Sequence, residues 1–201
     1  MKRTHILLMI AAAAFFTVGC QRSLKFTVSS DLDSAKLPKA TAVTLSSEQL
    51  VKPIEVEVKG GAFTIQGEVE KPAFAVIMPK GGERKDNRAL ILEKGTITFQ
   101  EGKAAGTPLN DANIAFTQQL KDIYAQHAGG SPELISAVNK AYLDFVTLHK
   151  DDPCAIFAIM HANRRISPEA QAKLIAAASP EIRNHGEVRM ASQRLKHLTK
   201  Q

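Results

Sequence analysis

Hydrophobic and polar positions follow two different periods along this chain, and the change falls near residue 108. Between 24 and 107, Val, Ile, Phe and Thr recur in short runs broken by Gly, Pro, Asp and Ser, a strand-and-turn pattern. The runs predict strands over 24–29, 42–45, 54–59, 62–68, 74–78, 89–93 and 96–100. Alternation in Ile54-Glu55-Val56-Glu57-Val58 and in Phe63-Thr64-Ile65-Gln66 implies one buried and one wet face. Gly60-Gly61 predicts a tight hairpin turn, because positive φ costs glycine little, and Lys94-Gly95 predicts a second between Leu92 and Ile97. Seven such strands point to a small antiparallel β-sandwich or a partly open barrel.

From 108 onward the spacing turns helical. Leu134, Val138, Ala141, Phe145 and Leu148 mark one apolar face, and Val188, Ala191, Leu195 and Leu198 mark another. Ser131-Pro132-Glu133, Ser167-Pro168-Glu169 and Ser179-Pro180-Glu181 share one start signal. Each offers a Ser cap, a Pro with no N–H to leave unpaired, and an acid facing the positive helix end. Asp152-Pro153 is a fourth start of this kind. Helices are expected at 111–127, 132–150, 153–163, 168–178 and 186–199. The predicted fold class is α+β: a β domain at 20–107, then a helical region of about five helices at 108–201, packed on it or following it. The loop 30–39 and the stretch after Cys20 are expected to be the flexible parts.

The first 19 residues have a different character. Lys2, Arg3 and His5 form a basic head, and the run from Ile6 to Val18 is apolar apart from Thr17. A basic head, a short apolar middle and a small residue at the cut are the parts of a secretory signal. The run is shorter than the roughly 20 apolar residues that span a bilayer. Thr17-Val18-Gly19-Cys20 resembles a lipobox, which implies that residues 1–19 are removed and Cys20 becomes a lipidated, membrane-tethered first residue. Several acyl chains on one residue anchor stably where a single chain binds reversibly. Gln21-Arg22-Ser23 carries no acidic cluster of the kind that resembles a surface-export signal. The expected place is therefore the cell envelope, on the periplasmic face of the outer membrane.

Charge and composition narrow the function classes. Losing Lys2 and Arg3 with the leader lowers the formal charge from +6 to +4, which is only mildly basic. There is no Trp, and no basic stripe is interleaved with aromatics, so nucleic acid is not an expected partner. The expected partners are the membrane, through the lipid at Cys20, and an envelope protein.

Candidate chemistry is sparse. With Cys20 lipidated, Cys154 is a lone thiol that cannot form an internal disulfide, and no Cys-x-x-Cys occurs. It sits at a helix start, where the positive end favours thiolate, but its apolar neighbours Ile156, Phe157 and Met160 favour an inert core residue. His161, two turns on, is about 10 Å away at 1.5 Å rise per residue, too far for a Cys–His pair. His127, His149, His161, His185 and His197 form no metal-ligand spacing and are expected at the surface or at helix ends. Gly81-Gly82-Glu83-Arg84-Lys85 lacks the ending of a phosphate loop and reads as a solvated hairpin loop. Arg164-Arg165 and Arg189, Arg194, Lys196 and Lys200 read as a wet helix face, with anionic lipid heads or an acidic partner as the alternative. Glu68, Glu70 and Glu93 are available for a carboxylate site, although acids on alternating strands belong to the wet face.

Three strings carry a resemblance. Gly61-Ala62-Phe63-Thr64-Ile65-Gln66-Gly67-Glu68-Val69-Glu70-Lys71-Pro72, then Leu92-Glu93-Lys94-Gly95 with Ile97, then Gly106-Thr107-Pro108-Leu109-Asn110 together resemble the domain of unknown function 4369. That domain opens lipoproteins of Bacteroides-like bacteria, usually ahead of helices and a thioredoxin-like domain with a Cys-x-x-Cys site. The resemblance covers roughly 24–125 and implies no catalytic residue. It implies an accessory part without the redox centre. Asp33-Ser34-Ala35 also resembles the three-residue O-glycosylation site of these bacteria. The sequence thus predicts a non-enzymatic envelope lipoprotein, an accessory or binding module with no cofactor and no metal. The alternative is a redox-pathway accessory acting through Cys154 or with a separate thioredoxin-like partner.

Overall fold

A computed structural model describes residues 23–37, 39–163 and 165–198. The leader and Cys20 lie outside the described residues, as do Arg164 and Lys200. Eight strands form two four-stranded sheets. They are β1 (Leu24–Asp31), β2 (Ala42–Ser47), β3 (Ile54–Glu57), β4 (Ala62–Val69), β5 (Ala73–Pro79), β6 (Arg88–Leu92), β7 (Gly95–Gln100) and β8 (Lys103–Ala105). The sheet orders are β4-β1-β7-β8 and β3-β2-β5-β6, stacked as a sandwich and not closed into a barrel. Phe26, Val28, Val43, Leu45, Ile65, Ile77, Leu92 and Ile97 fill the space between the sheets.

The helices are α1 (Pro108–Gln126), α2 (Pro132–Leu148), α3 (Pro153–Ala162), α4 (Pro168–Ala177), α5 (Pro180–Asn184) and α6 (Gly186–Leu198). They cover the outer face of β5 and β6 through a second core. Phe74 and Val76 from β5 and Ala89 from β6 pack there against Phe116, Tyr142, Val146, Ile159 and Leu174. Ala75 and Ile77 of the same β5 point into the sandwich. A strand covered on both faces needs a continuous apolar run, which Ala73-Phe74-Ala75-Val76-Ile77 supplies. The α+β expectation therefore holds, with the helices forming a third layer. None of the helices among the described residues is long and apolar enough to cross a membrane.

Several local expectations are corrected. The sandwich is not wholly antiparallel, because β1 pairs with β7 in parallel register (Phe26 with Gly95, Val28 with Ile97). Lys94-Gly95 is not a hairpin turn: β6 belongs to one sheet and β7 to the other, so it is a corner between them. Gly60-Gly61 does make a tight turn, with both glycines at positive φ and Lys59 paired to Ala62. Beyond that one pair, β3 and β4 diverge into different sheets. The loop expected to be loose is pinned. Ala35 and Leu37 are buried, and the Arg88 guanidinium donates to the Ala35 and Lys36 carbonyls. Ser34 of the Asp33-Ser34-Ala35 triplet gives its hydroxyl to Asp31 at 2.9 Å. The solvated loop at Gly81–Lys85 does join an antiparallel pair, β5 and β6, through one 3-10 turn at Arg84–Asp86.

On α2, Leu134, Val138 and Ala141 are buried as the spacing requires, but Leu148 is 78% exposed while Tyr142 and Val146 are sealed. The apolar positions step by 3.5 residues while a straight helix turns by 3.6, so the stripe drifts round the helix. Three Ser caps bind as expected: Ser131 accepts from Leu134 N, Ser167 from Ala170 N and Ser179 from Ile182 N.

Candidate functional site

The junction of α2 and α3 brings together His149, Asp152 and Cys154. Asp152 caps α3, its Oδ1 accepting the Cys154 N–H at 2.9 Å. Its other oxygen pairs with His149 Nδ1 at 2.9 Å. The donor atoms of His149, Asp152 and Cys154 all lie within 4.8 Å of one another. No metal spacing in the sequence suggested this, since His149 ends one helix and Cys154 begins the next. Among the described residues these three are the group that could hold a metal, yet each is already engaged: the carboxylate by the cap and the imidazole, the thiol by donation to the Leu109 carbonyl at 3.4 Å.

Cys154 is fully buried. Burial first, and then the Asp152 carboxylate, push its pKa far up. The thiol form therefore dominates at neutral pH, against the thiolate that a helix start favours. In the native protein, alkylation of Cys154 by iodoacetamide is expected to run at least ~100-fold slower than in urea, because only opening exposes it. A native rate within about tenfold of the unfolded one would contradict this burial.

The histidines are more buried than expected. His127 and His149 do end α1 and α2 as C-caps, and His197 is exposed on α6. His161, in the last turn of α3, and His185, the C-cap of α5, are helix-end residues too, but both pack against aromatics, at 5.8 Å from Phe157 and 5.7 Å from Phe74. Tyr142 Oη lies 2.8 Å from His161 Nδ1. Burial lifts the Tyr142 pKa, so the hydroxyl stays protonated and donates to a neutral ring. Burial, helped by the Arg165 guanidinium, lowers the His161 pKa to about 4. Unfolded, it titrates near 6.5. Between those values the unfolded chain binds the extra proton, so this stability is complete above pH 6.5 and is lost as the pH falls towards 4. The ring is only partly buried, and screening limits the loss to about 1–2 kcal/mol. Urea titrations at pH 7 and pH 4.5 should show it, and His161→Gln should shrink the difference between the two pH values by that amount, leaving the share of His185.

The carboxylates do not assemble as a trio. Glu68 accepts from Ser23 Oγ at 2.7 Å, and Glu70 is exposed. Glu93 is buried, not on a wet face, and accepts the Leu109 N–H at 2.8 Å at the start of α1. The positive helix end and unpaired first N–H groups favour an acid there. Arg165, Arg189, Arg194 and Lys196 are exposed, in keeping with a wet face.

A groove between the sheet and the helices opens beside these groups. It has a volume of ≈ 470 Å³ and is walled by the 47–49 and 71–74 segments, the α2–α3 junction and α5. A second hollow of ≈ 360 Å³ joins it through Ser47, Glu48, Phe74 and His185. The combined lining carries Glu48, Asp151, Asp152, Glu181 and Glu187 against a single Lys71. Lys71 is ion-paired with Glu181 across the mouth, linking the sheet side to the helix side. Glu48 Oε1 accepts the Gly186 N–H at 2.8 Å, and its Oε2 lies 3.7 Å from His185 Nε2. His185 Nδ1 accepts the Glu187 N–H, which leaves the ring proton on the Nε2 that faces Glu48. Burial holds the His185 pKa below its usual value against the pull of Glu48 and Glu187. Glu187 Oε2 is buried with no hydrogen-bond partner among the described residues. Sequence reasoning missed this groove because its walls come from four distant segments.

Comparison of the chain with protein-family models, curated proteins and solved structures finds no match. The fold and the groove alone define the class: a β-sandwich with a helical third layer and an acidic cleft between layers.

Proposed function

We propose that this protein is a lipid-anchored binding module of the cell envelope, an accessory component whose acidic groove receives a basic, donor-rich ligand or partner segment. The observation that carries this reading is the sign of the groove. Five carboxylates converge against one lysine on a chain whose formal charge is +6, and one buried carboxylate oxygen lacks a donor. Clefts lined by one sign of charge concentrate ligands of the other. The lipobox resemblance at Cys20 and the resemblance to an accessory lipoprotein domain support the location and the role. The redox alternative loses support from the burial of Cys154, whose thiol meets the Leu109 carbonyl instead of solvent.

A photo-crosslinking residue placed at Gln49, exposed in the groove wall, tests the reading in intact cells; Gln119, exposed on α1 and outside the groove lining, is the control. The expected result is a discrete adduct from Gln49 that is absent from Gln119 and weakened by added salt. Equal adducts from both positions, or one insensitive to salt, would refute the groove as the recognition surface.

A further inference from the structure

The two sheets leave a gap where β6 and β8, the outer strand of each, come close without pairing. β6 is an edge strand, yet one of its outward positions is already satisfied. Asn110 Oδ1 accepts the Ile91 N–H at 2.9 Å, and Asn110 Nδ2 donates to the Ile91 carbonyl at 2.8 Å. Those Ile91 groups therefore point away from β5. The β5–β6 register is unbroken from Ala73–Leu92 to Ile77–Arg88. Outward and inward groups alternate along an antiparallel strand, so Ala89, two residues on, also presents its N–H and C=O outward. β8 does the same from the other side. Glu101 and Gly102 form a two-residue turn with both φ positive, which makes Gln100 and Lys103 the hydrogen-bonded pair. The next pair, Phe99 and Ala104, is then the non-bonded one, and Ala104 faces outward.

Ala89 and Ala104 both line a half-open cavity of ≈ 190 Å³, walled by Ile114 and Phe157, by Asn113 and Thr117 on α1, and at its rim by Arg88 and Lys103. Asn113 is one helical turn beyond Asn110 and 94% buried (6% exposed), yet its Oδ1 has no hydrogen-bond partner among the described residues. A buried acceptor without a donor is destabilising, and native proteins rarely leave one unfilled. The chain itself shows what fits this edge. At Ile91 the occupant is a carboxamide, held by one N–H and one C=O. At Ala89 the same pair of groups is offered to the cavity.

We propose that this cavity is a binding site for a neutral amide, which pairs with the Ala89 peptide edge as Asn110 pairs with Ile91 and gives a further N–H to Asn113 Oδ1. The apolar part of the ligand rests on Phe157 and Ile114. The site is separate from the acidic groove and does not depend on it. The amide has two sources, a peptide segment or a small carboxamide, and two probes distinguish them: N-acetyl-leucine N-methylamide and isovaleramide. Methyl isovalerate, of similar shape but without N–H, is the control.

The test uses the full-length protein in detergent. At 20 mM probe, an amide should raise the thermal midpoint, as any ligand selective for the folded state does, and slow hydrogen exchange at the Ala89 N–H. The ester should do neither. Asn113→Leu replaces the unpartnered amide with an apolar side chain; it should melt no lower than the parent without ligand and lose the response to amides. A response to the peptide probe alone assigns a peptide; a response to isovaleramide assigns a small carboxamide. An ester response equal to the amide one, an undiminished response in Asn113→Leu, or no slowing at Ala89 with either amide overturns the proposal.

Discussion

Asn110→Ala is expected to lower the free energy of unfolding by about 3–5 kcal/mol, the largest loss from any single polar side chain in this fold. Asn110 is 1% exposed and makes three hydrogen bonds: two to the Ile91 backbone, and one to Thr107 Oγ1 at 2.8 Å. Alanine leaves a buried N–H and a buried C=O on β6 without partners, at about 1–3 kcal/mol each. It also leaves the space of the lost carboxamide unfilled. The same side chain joins the layers, because it sits in the first turn of α1 and grips a strand of the sandwich. Glu93 reinforces that joint by accepting the Leu109 and Asn110 N–H groups at 2.8 and 3.3 Å. Urea unfolding followed by circular dichroism measures the effect. A loss below about 1 kcal/mol would mean that water replaces the carboxamide and that this clamp does not hold the layers together.

How much of this was legible in the sequence depends on whether a signal was local. Alternation placed β3 and β4, and the Ser-Pro-Glu triplets placed the starts of α2, α4 and α5, because a strand face and a cap are each set by neighbours in sequence. α5 was expected only as a start signal, since five residues are too few to show a period. β8 escaped for a similar reason: Lys103–Ala105 holds three residues, two of them alanine. The parallel pairing of β1 with β7 and the corner at Gly95 are set by packing across the sandwich, and no local pattern carries that. The continuous apolar run of β5 did hold the clue that helices cover its outer face, because alternation fails where both faces are dry. The candidate sites were the least legible. The string Gly106-Thr107-Pro108-Leu109-Asn110 contained the helix start and the clamp on β6, but the clamp is visible only once α1 lies against that strand. His149, Asp152 and Cys154 lie within six residues of sequence and still show no cluster there, since their meeting depends on the turn between two helices.

Cys20→Ser is expected to give the largest change of all, an all-or-none loss of membrane attachment with no change in the fold. Lipid attachment requires the thiol, and serine offers none. Each buried CH₂ of an acyl chain contributes about 0.8 kcal/mol to membrane binding, so removing several chains removes the anchor outright. The fold should not respond, because β1 begins at Leu24 and, among the described residues, both cores are built from Leu24 onward. Four residues at ~3.3–3.6 Å each span at most about 14 Å, so a lipid on Cys20 would lie within that reach of the start of β1. On the proposed lipidation the domain would be held close to the lipid surface, and detaching it would change which partners it can meet far more than it changes stability. Fractionation of cells carrying the variant should move the protein from the membrane pellet to the soluble fraction, or leave it as a precursor with its first 19 residues uncleaved. Urea unfolding of the purified variant should coincide with that of the parent in the same detergent. A variant that is processed and still pellets with membranes would show that another part of the chain holds it there. The basic positions Arg189, Arg194 and Lys196, exposed on α6, would then be the next place to look, and high salt would release the protein.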